Sequence, residues 1–140
     1  MLARGKAVKR VHHIGVAVAN LEQAVESYKA LGLAVEKVEE VASEGVRVAF
    51  LPVGETLIEL LEPLDSGSTV ARFIAKRGPG LHHICFEVTD LEAAIAQARQ
   101  GGLNFVGEAP RRGAQGSKVC FIHPQGLSGV LVELWQDNHA

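Results

Sequence analysis

Hydrophobic positions along the chain switch between two periods, and the switches come in the same order twice. Residues 11–18 alternate, with Ile14, Val16 and Val18 at one parity, which predicts a strand. From Leu21 the period lengthens. Leu21, Val25 and Tyr28 share a helical face, Asn20 offers an N-cap and Gly32 a stop, so a helix is predicted through about Leu31. A less regular strand near 33–41 precedes two apolar runs, VRVAFLPV (46–53) and TLIELLEP (56–63), which read as a hairpin turning at Gly54-Glu55. The order then returns: a strand at 81–88, a helix from about Leu91 to Gln100 capped by Asp90, and strands near 117–123 and 129–135. Between the two sets, GSTVARFIAKRGPG (67–80) predicts a short helix running into a Gly-Pro-Gly linker.

The residues repeat as well as the periods. VHHIGVAVANLEQAVESYKALGL (11–33) aligns with LHHICFEVTDLEAAIAQARQGGL (81–103) at an offset of 70, and LIELLEP (57–63) with LVELWQD (131–137) at an offset of 74. The four extra residues fall in EAPRRGAQG (108–116), which reads as a longer loop. The expectation is an α+β fold with one domain over 1–140. It would hold two tandem βαβββ modules, at about 9–66 and 81–137, joined by a linker helix over about 67–80.

Strand parity decides which side chains can meet. His13 falls with Gly15 and Ala17, opposite the helix-facing Ile14, Val16 and Val18; His83 falls with Cys85 and Glu87, opposite Ile84, Phe86 and Val88. Glu59 lies between Leu57 and Leu61 on one face, and Glu133 between Leu131 and Trp135, which is not a water-facing pattern. A carboxylate there is costly unless it is paired or coordinates a metal. His13, Glu59, His83 and Glu133 are therefore expected as ligands at repeat-equivalent positions on the less crowded strand faces. Two imidazoles and two carboxylates suit one borderline divalent ion per chain, such as Co²⁺, Mn²⁺, Ni²⁺ or Zn²⁺. His12 and His82 are expected to pack or to mark strand boundaries, His123 to occupy a turn, and Cys85 and Cys120 to fill small apolar spaces. Arg72, Lys76, Arg77, Arg111, Arg112 and Lys118 read as solvated surface, with some available to a phosphate-bearing substrate.

Composition narrows the classes. A net charge of −2 gives no basic field for nucleic acid or an anionic membrane. No apolar run approaches the roughly 20 residues needed to span a bilayer, and the basic stretch Met1 to Arg10 lacks the apolar region of a secretory signal. Two cysteines without CxxC spacing fit a reducing cytoplasm.

The segments HHIGVAVANLEQA, VRVAFLPVGETLIELLEP, GPGLHHICFEVTDLEAA and GSKVCFIHPQGLSGVLVELWQ resemble the methylmalonyl-CoA epimerases of the vicinal oxygen chelate (glyoxalase-like) superfamily, from about Val11 to Gln136. The His-His-Ile openings are shared widely; AFLPVG…IELLEP and KRGPGLHHICFEV are particular to the epimerases. The resemblance implies a U-shaped mixed-sheet cavity around one metal held by His13, Glu59, His83 and Glu133, and a homodimer. It also implies S-to-R conversion at C2 of methylmalonyl-CoA, in propionyl-CoA metabolism, by 1,1-proton transfer through a metal-stabilised enolate. Two acid–base groups follow from it: Glu133, and a glutamate in the hairpin before the third strand. The family often reads Glu-Gln-Gly-Val there, whereas this chain reads Ser43-Glu44-Gly45-Val46; a strict alignment puts the glutamate at Ser43, and Glu44 supplies the second base only if the loop shifts by one residue. Gln115 stands where many members carry His. A glyoxalase-type isomerase would need glutathione contacts that the chain does not announce, and an extradiol dioxygenase would not need Glu59 as a fourth ligand. A small-molecule-binding resistance protein would often lack the two histidines.

Overall fold

In the computed structural model, which describes residues 7–113 and 116–137, the alternating and helical segments become eight strands of mixed direction and three α-helices. They form an α+β fold divided into two compact units, one of His13–His82 and the other joining the residues through His12 to those from His83 onward. Strand β1 (Val8–Ala17) contributes to both.

The His13–His82 unit adds helix α1 (Leu21–Lys29), strands β2 (Lys37–Val41), β3 (Val46–Val53) and β4 (Thr56–Pro63), and helix α2 (Thr69–Arg77). Its strand order is β2-β3-β4-β1. Asn20 caps α1 by accepting the Gln23 N–H at 2.9 Å. The helix closes at Lys29, short of Leu31. Its last turn tightens to three-residue bonds, Leu31 N–H to the Tyr28 carbonyl and Gly32 N–H to that of Lys29, before Gly32 turns left-handed at φ 98°. The β3–β4 hairpin turns at Gly54-Glu55, with Val53 opposite Thr56 and Gly54 at φ 59°. Val18, Leu21, Ala49, Leu51 and Leu60 pack together with the apolar face of α1. On the opposite strand faces Ala17, Val46, Val48 and Leu61 pack with Val70 of α2.

The second unit adds strand β5 (Gly80–Val88), helix α3 (Leu91–Gln100), and strands β6 (Phe105–Arg112), β7 (Lys118–Ile122) and β8 (Val132–Gln136). The order is β1-β5-β8-β7-β6, and Val88, Leu91, Ile95, Cys120, Ile122, Val132 and Leu134 form its core. Here one expectation fails: EAPRR is strand, not loop. Val106 faces Phe121, yet Arg111 faces Val119, so five steps along β6 match two along β7. Three of the four extra residues are absorbed as a bulge inside a paired strand. Gly107 and Pro110 mimic loop punctuation because a bulge tolerates both. The segment near 129–135 begins late, at Val132, because a 3₁₀ turn over Pro124–Leu127 and left-handed Ser128 and Gly129 come first.

A second correction concerns the faces of β1 and β5. His13, Gly15 and Ala17 are buried while Ile14 and Val16 are half-buried; likewise His83, Cys85 and Glu87 are buried beside half-buried Ile84 and Phe86. The histidine face is thus the more enclosed one. At equivalent positions the units solve this burial differently. Ala17 packs in an apolar cluster, whereas Glu87, with its side chain 8% exposed, is met by Arg10 Nε at 2.6 Å and Lys9 Nζ at 3.4 Å. Burial pushes the Glu87 carboxyl up, but the Arg10 and Lys9 hydrogen bonds outweigh it and hold it below the ordinary 4.5.

A carboxyl lowered in the folded state contributes stability above its unfolded value, and that stability is lost as pH falls through the folded value. Glu87→Gln should therefore cost about 1–2 kcal/mol in urea unfolding at pH 7, with the difference closing below about pH 4. Identical midpoints at pH 7 would show that the ion pair contributes nothing.

Candidate functional site

Parallel strand pairing sets the geometry of both candidate ligand pairs. In the His13–His82 unit, His13 is the register partner of Leu57, and Glu59 lies opposite Gly15, two residues further along. Residues two apart on a strand share a face, so the Glu59 carboxylate returns beside the imidazole. His13 Nδ1 lies 3.4 Å from Glu59 Oε2, with side chains 7% and 14% exposed. In the second unit Ile84 is opposite Val132 and Cys85 is opposite Glu133, which is the same two-residue step. His83 Nε2 lies 3.3 Å from Glu133 Oε1, with side chains 8% and 11% exposed. Each unit thus holds one buried imidazole against one carboxylate, that of Glu133 buried and that of Glu59 half-buried. The residue across from each acid is small, Gly15 or Cys85, which leaves room on that face for the acid to lean toward its histidine.

These donors fit a borderline divalent ion: imidazole nitrogen and carboxylate oxygen are what such ions take, and a carboxylate this enclosed is stable only with a cation or hydrogen-bond donor beside it. Phe121, opposite Glu133 in register, presents an edge-to-face contact to His83 with ring centroids 6.2 Å apart. His12 stacks on Trp135 at 4.1 Å and His82 meets Phe73 edge-on at 4.9 Å, so both histidines do pack. His123 accepts the Gln125 N–H at 3.0 Å, a turn role. Cys85 and Cys120 are fully buried, and burial pushes the Cys120 thiol up to about 11, far from a nucleophile's range.

Glu44 ends a 3₁₀ turn over Ala42–Glu44 and is exposed. Its loop is nonetheless fixed. Gly45 is left-handed at φ 68°, a Cβ there would come within 2.9 Å of Ser68 Cβ, and its carbonyl accepts the Leu64 N–H at 2.8 Å. Gln115 lies outside the described residues.

Two further residues position the site, and they too repeat. Glu62 Oε2 accepts the Leu21 N–H at 2.8 Å, and Gln136 Oε1 accepts the Leu91 N–H at 2.7 Å. Each follows the glutamate of its His–Glu pair by three residues and ties that strand to the first N–H of a helix, α1 or α3, an otherwise orphan donor. The signal was in the aligned LIELLEP and LVELWQD, where a second polar residue recurs at the same place.

Residues 12–121 match the Glyoxalase/Bleomycin resistance protein/Dioxygenase superfamily. Over 132 residues the chain is 40% identical to the ethylmalonyl-CoA/methylmalonyl-CoA epimerase of Cereibacter sphaeroides, covering 92% of this chain and 98% of that one. The chain belongs to the methylmalonyl-CoA epimerase family of that superfamily. Solved epimerase structures agree. The Mycobacterium tuberculosis methylmalonyl-CoA epimerase superposes with a TM-score of 0.85 at 39% identity, covering 94% of this chain and 89% of that one. A methylmalonyl-CoA epimerase in complex with methylmalonyl-CoA and NH4+ gives a TM-score of 0.85 at 37% identity, covering 94% and 96%.

The Gln136 bond should be measurable in this epimerase-family chain. Gln136→Ala leaves the Leu91 N–H without its acceptor and should lower unfolding free energy by about 1 kcal/mol. An unchanged urea midpoint would remove Gln136 from the frame that holds Glu133.

Proposed function

We propose that this chain catalyses the metal-dependent epimerisation of methylmalonyl-CoA at C2, S to R, by 1,1-proton transfer. The observation that carries the reading is the duplicated His–Glu pair, set by the same register step in both units, in a chain 40% identical to an epimerase along nearly its full length. His13, Glu59, His83 and Glu133 hold one divalent ion, with Co²⁺ the first choice. When bound, that ion supplies Lewis-acid stabilisation of the negative charge that develops on the thioester oxygen. Glu133 exchanges the C2 proton on one face of the substrate, and Glu44 on the other. Aliphatic carboxylates are weak bases for such a proton, so their placement at C2 and exclusion of water have to supply much of the rate. Glu44 is exposed beside the clamped Gly45. The protein acts as a cytoplasmic homodimer.

Incubation of Co²⁺-loaded protein with (S)-methylmalonyl-CoA in D₂O should place deuterium at C2, and chelation followed by elemental analysis should remove metal and exchange together. Loaded protein that incorporates no deuterium overturns the epimerase reading; full exchange from verified metal-free protein overturns the metal requirement. Running (S)-ethylmalonyl-CoA alongside sets the acyl preference. Glu44→Gln should slow exchange by about 10²-fold or more with metal content intact. A rate equal to that of the parent protein would take the second base away from Glu44.

A further inference from the structure

On the strand beside each candidate acid stands a phenylalanine, and against each ring lies a cation. In the His13–His82 unit Phe50 of β3 is the register partner of Glu59 on one side and of Lys37 on the other. One row across β4, β3 and β2 therefore reads acid, ring, cation on a single face. Lys37 Nζ lies 5.1 Å from the Phe50 ring centroid. In the second unit Phe121 of β7 is the partner of Glu133, and the Arg111 guanidinium lies 4.8 Å from the Phe121 centroid. The two cations do not come from equivalent places. Lys37 stands directly opposite Phe50, whereas the residue opposite Phe121 is Val106. The β6 bulge then sets Arg111 opposite Val119, two residues from Phe121 and on its face. Two different strand geometries end in the same arrangement.

The order of the row matters because a cation is the partner that an enclosed carboxylate attracts most strongly. A guanidinium that reached Glu133 would engage both carboxylate oxygens in its fork, leaving none for a metal ion. Arg111 and Lys37 are instead each carried on the strand beyond a ring, whose π face meets part of their charge. Lys37 also lies 3.7 Å from Glu39 Oε1 on its own strand. The acids meet imidazoles, at 3.4 Å between Glu59 and His13 and 3.3 Å between Glu133 and His83.

We infer that Phe50 and Phe121 are positioning residues of the metal site: each ring keeps a strand-borne cation off the neighbouring acid, so that the acid stays open to a divalent ion. The part of this inference that concerns the ion rests on the function proposed above. Truncating the ring should let the cation close on the acid. Circular dichroism first establishes that F121A folds. In metal-free protein, urea midpoints of R111Q, E133Q and R111Q/E133Q then read the coupling between the two charges. It should be absent in the intact chain and appear as a non-additive midpoint shift in the F121A background. Calorimetric titration with Co²⁺ should show affinity about tenfold or more weaker in F121A, with most of that loss recovered in F121A/R111Q. A hole left by the ring alone would not be repaired by removing a charge two strands from the acid. F50A and F50A/K37Q put the same question to the other unit, and decide it if F121A does not fold. Additive midpoints in the F121A background, Co²⁺ affinity equal to that of the intact chain, or no recovery in F121A/R111Q overturns the inference. Coupling that appears in F121A, in a protein whose intact chain takes up no Co²⁺, overturns the metal reading while the insulating role of the ring stands.

Discussion

The contact between a buried histidine and a carboxylate inside each parallel strand pair is the constraint around which the chain is arranged. In β1–β4 and again in β5–β8 the acid stands two residues beyond the histidine's register partner. A slip of one residue would turn every side chain of the strand to its other face, sending the acid into the apolar layer under the helix. The helices, hairpins and end-bonds of each unit act together to hold that register. The small Gly15 and Cys85 opposite the acids belong to the same requirement, since a bulky residue there would crowd the approach of carboxylate to imidazole.

The two units meet this requirement with different chemistry. Leu21 N–H is held by the Glu62 carboxylate and Leu91 N–H by the Gln136 amide. A charge at a helix N-terminus gains from the helix dipole, and Glu62 is further matched by Arg47, whose Nε lies 3.4 Å away and which also pairs with Glu22. Gln136 needs no such cation. In the other direction, the position that Ala17 fills with a methyl group is occupied in the second unit by Glu87, which brings Arg10 and Lys9 with it. Each departure from the repeat is therefore accompanied by a local partner that keeps the buried group satisfied, and the strand pairing beneath it stays the same.

Much of this was legible in the sequence because it is local. The Gly54-Glu55 hairpin and the helix capped by Asp90 match the structure at the residue level, since caps, glycines and periodicity act over a few residues. The His–Glu pairs were legible through parity and repetition, which need only that strands alternate. The β6 bulge was hidden because Gly107 and Pro110 say "loop" whether or not a partner strand is present, and only the pairing with β7 decides. The burial of the histidine face was misread for a similar reason. Gly15 and Ala17 look like open space, yet small side chains let neighbouring elements approach more closely, and Ala17 is fully buried against Val46, Val48 and Leu61. Ion pairs such as Arg10 with Glu87, 77 positions apart, carry no local signature at all.

The division of donors has an energetic consequence for the metal reading. One imidazole and one carboxylate are few donors for a divalent ion, and an ion held by such pairs binds the folded registers and not the unfolded chain. Such binding stabilises the folded chain by about 2.7 kcal/mol at a hundredfold excess of ion over its dissociation constant, a large fraction of the roughly 5–15 kcal/mol by which domains are stable. Without the ion, an enclosed carboxylate depends on neighbouring hydrogen-bond donors for compensation, which is a poorer match for a buried charge than a cation. On this reading the enclosed acids that cost the empty protein stability are the same groups whose register makes ion binding report on a correctly folded strand pair.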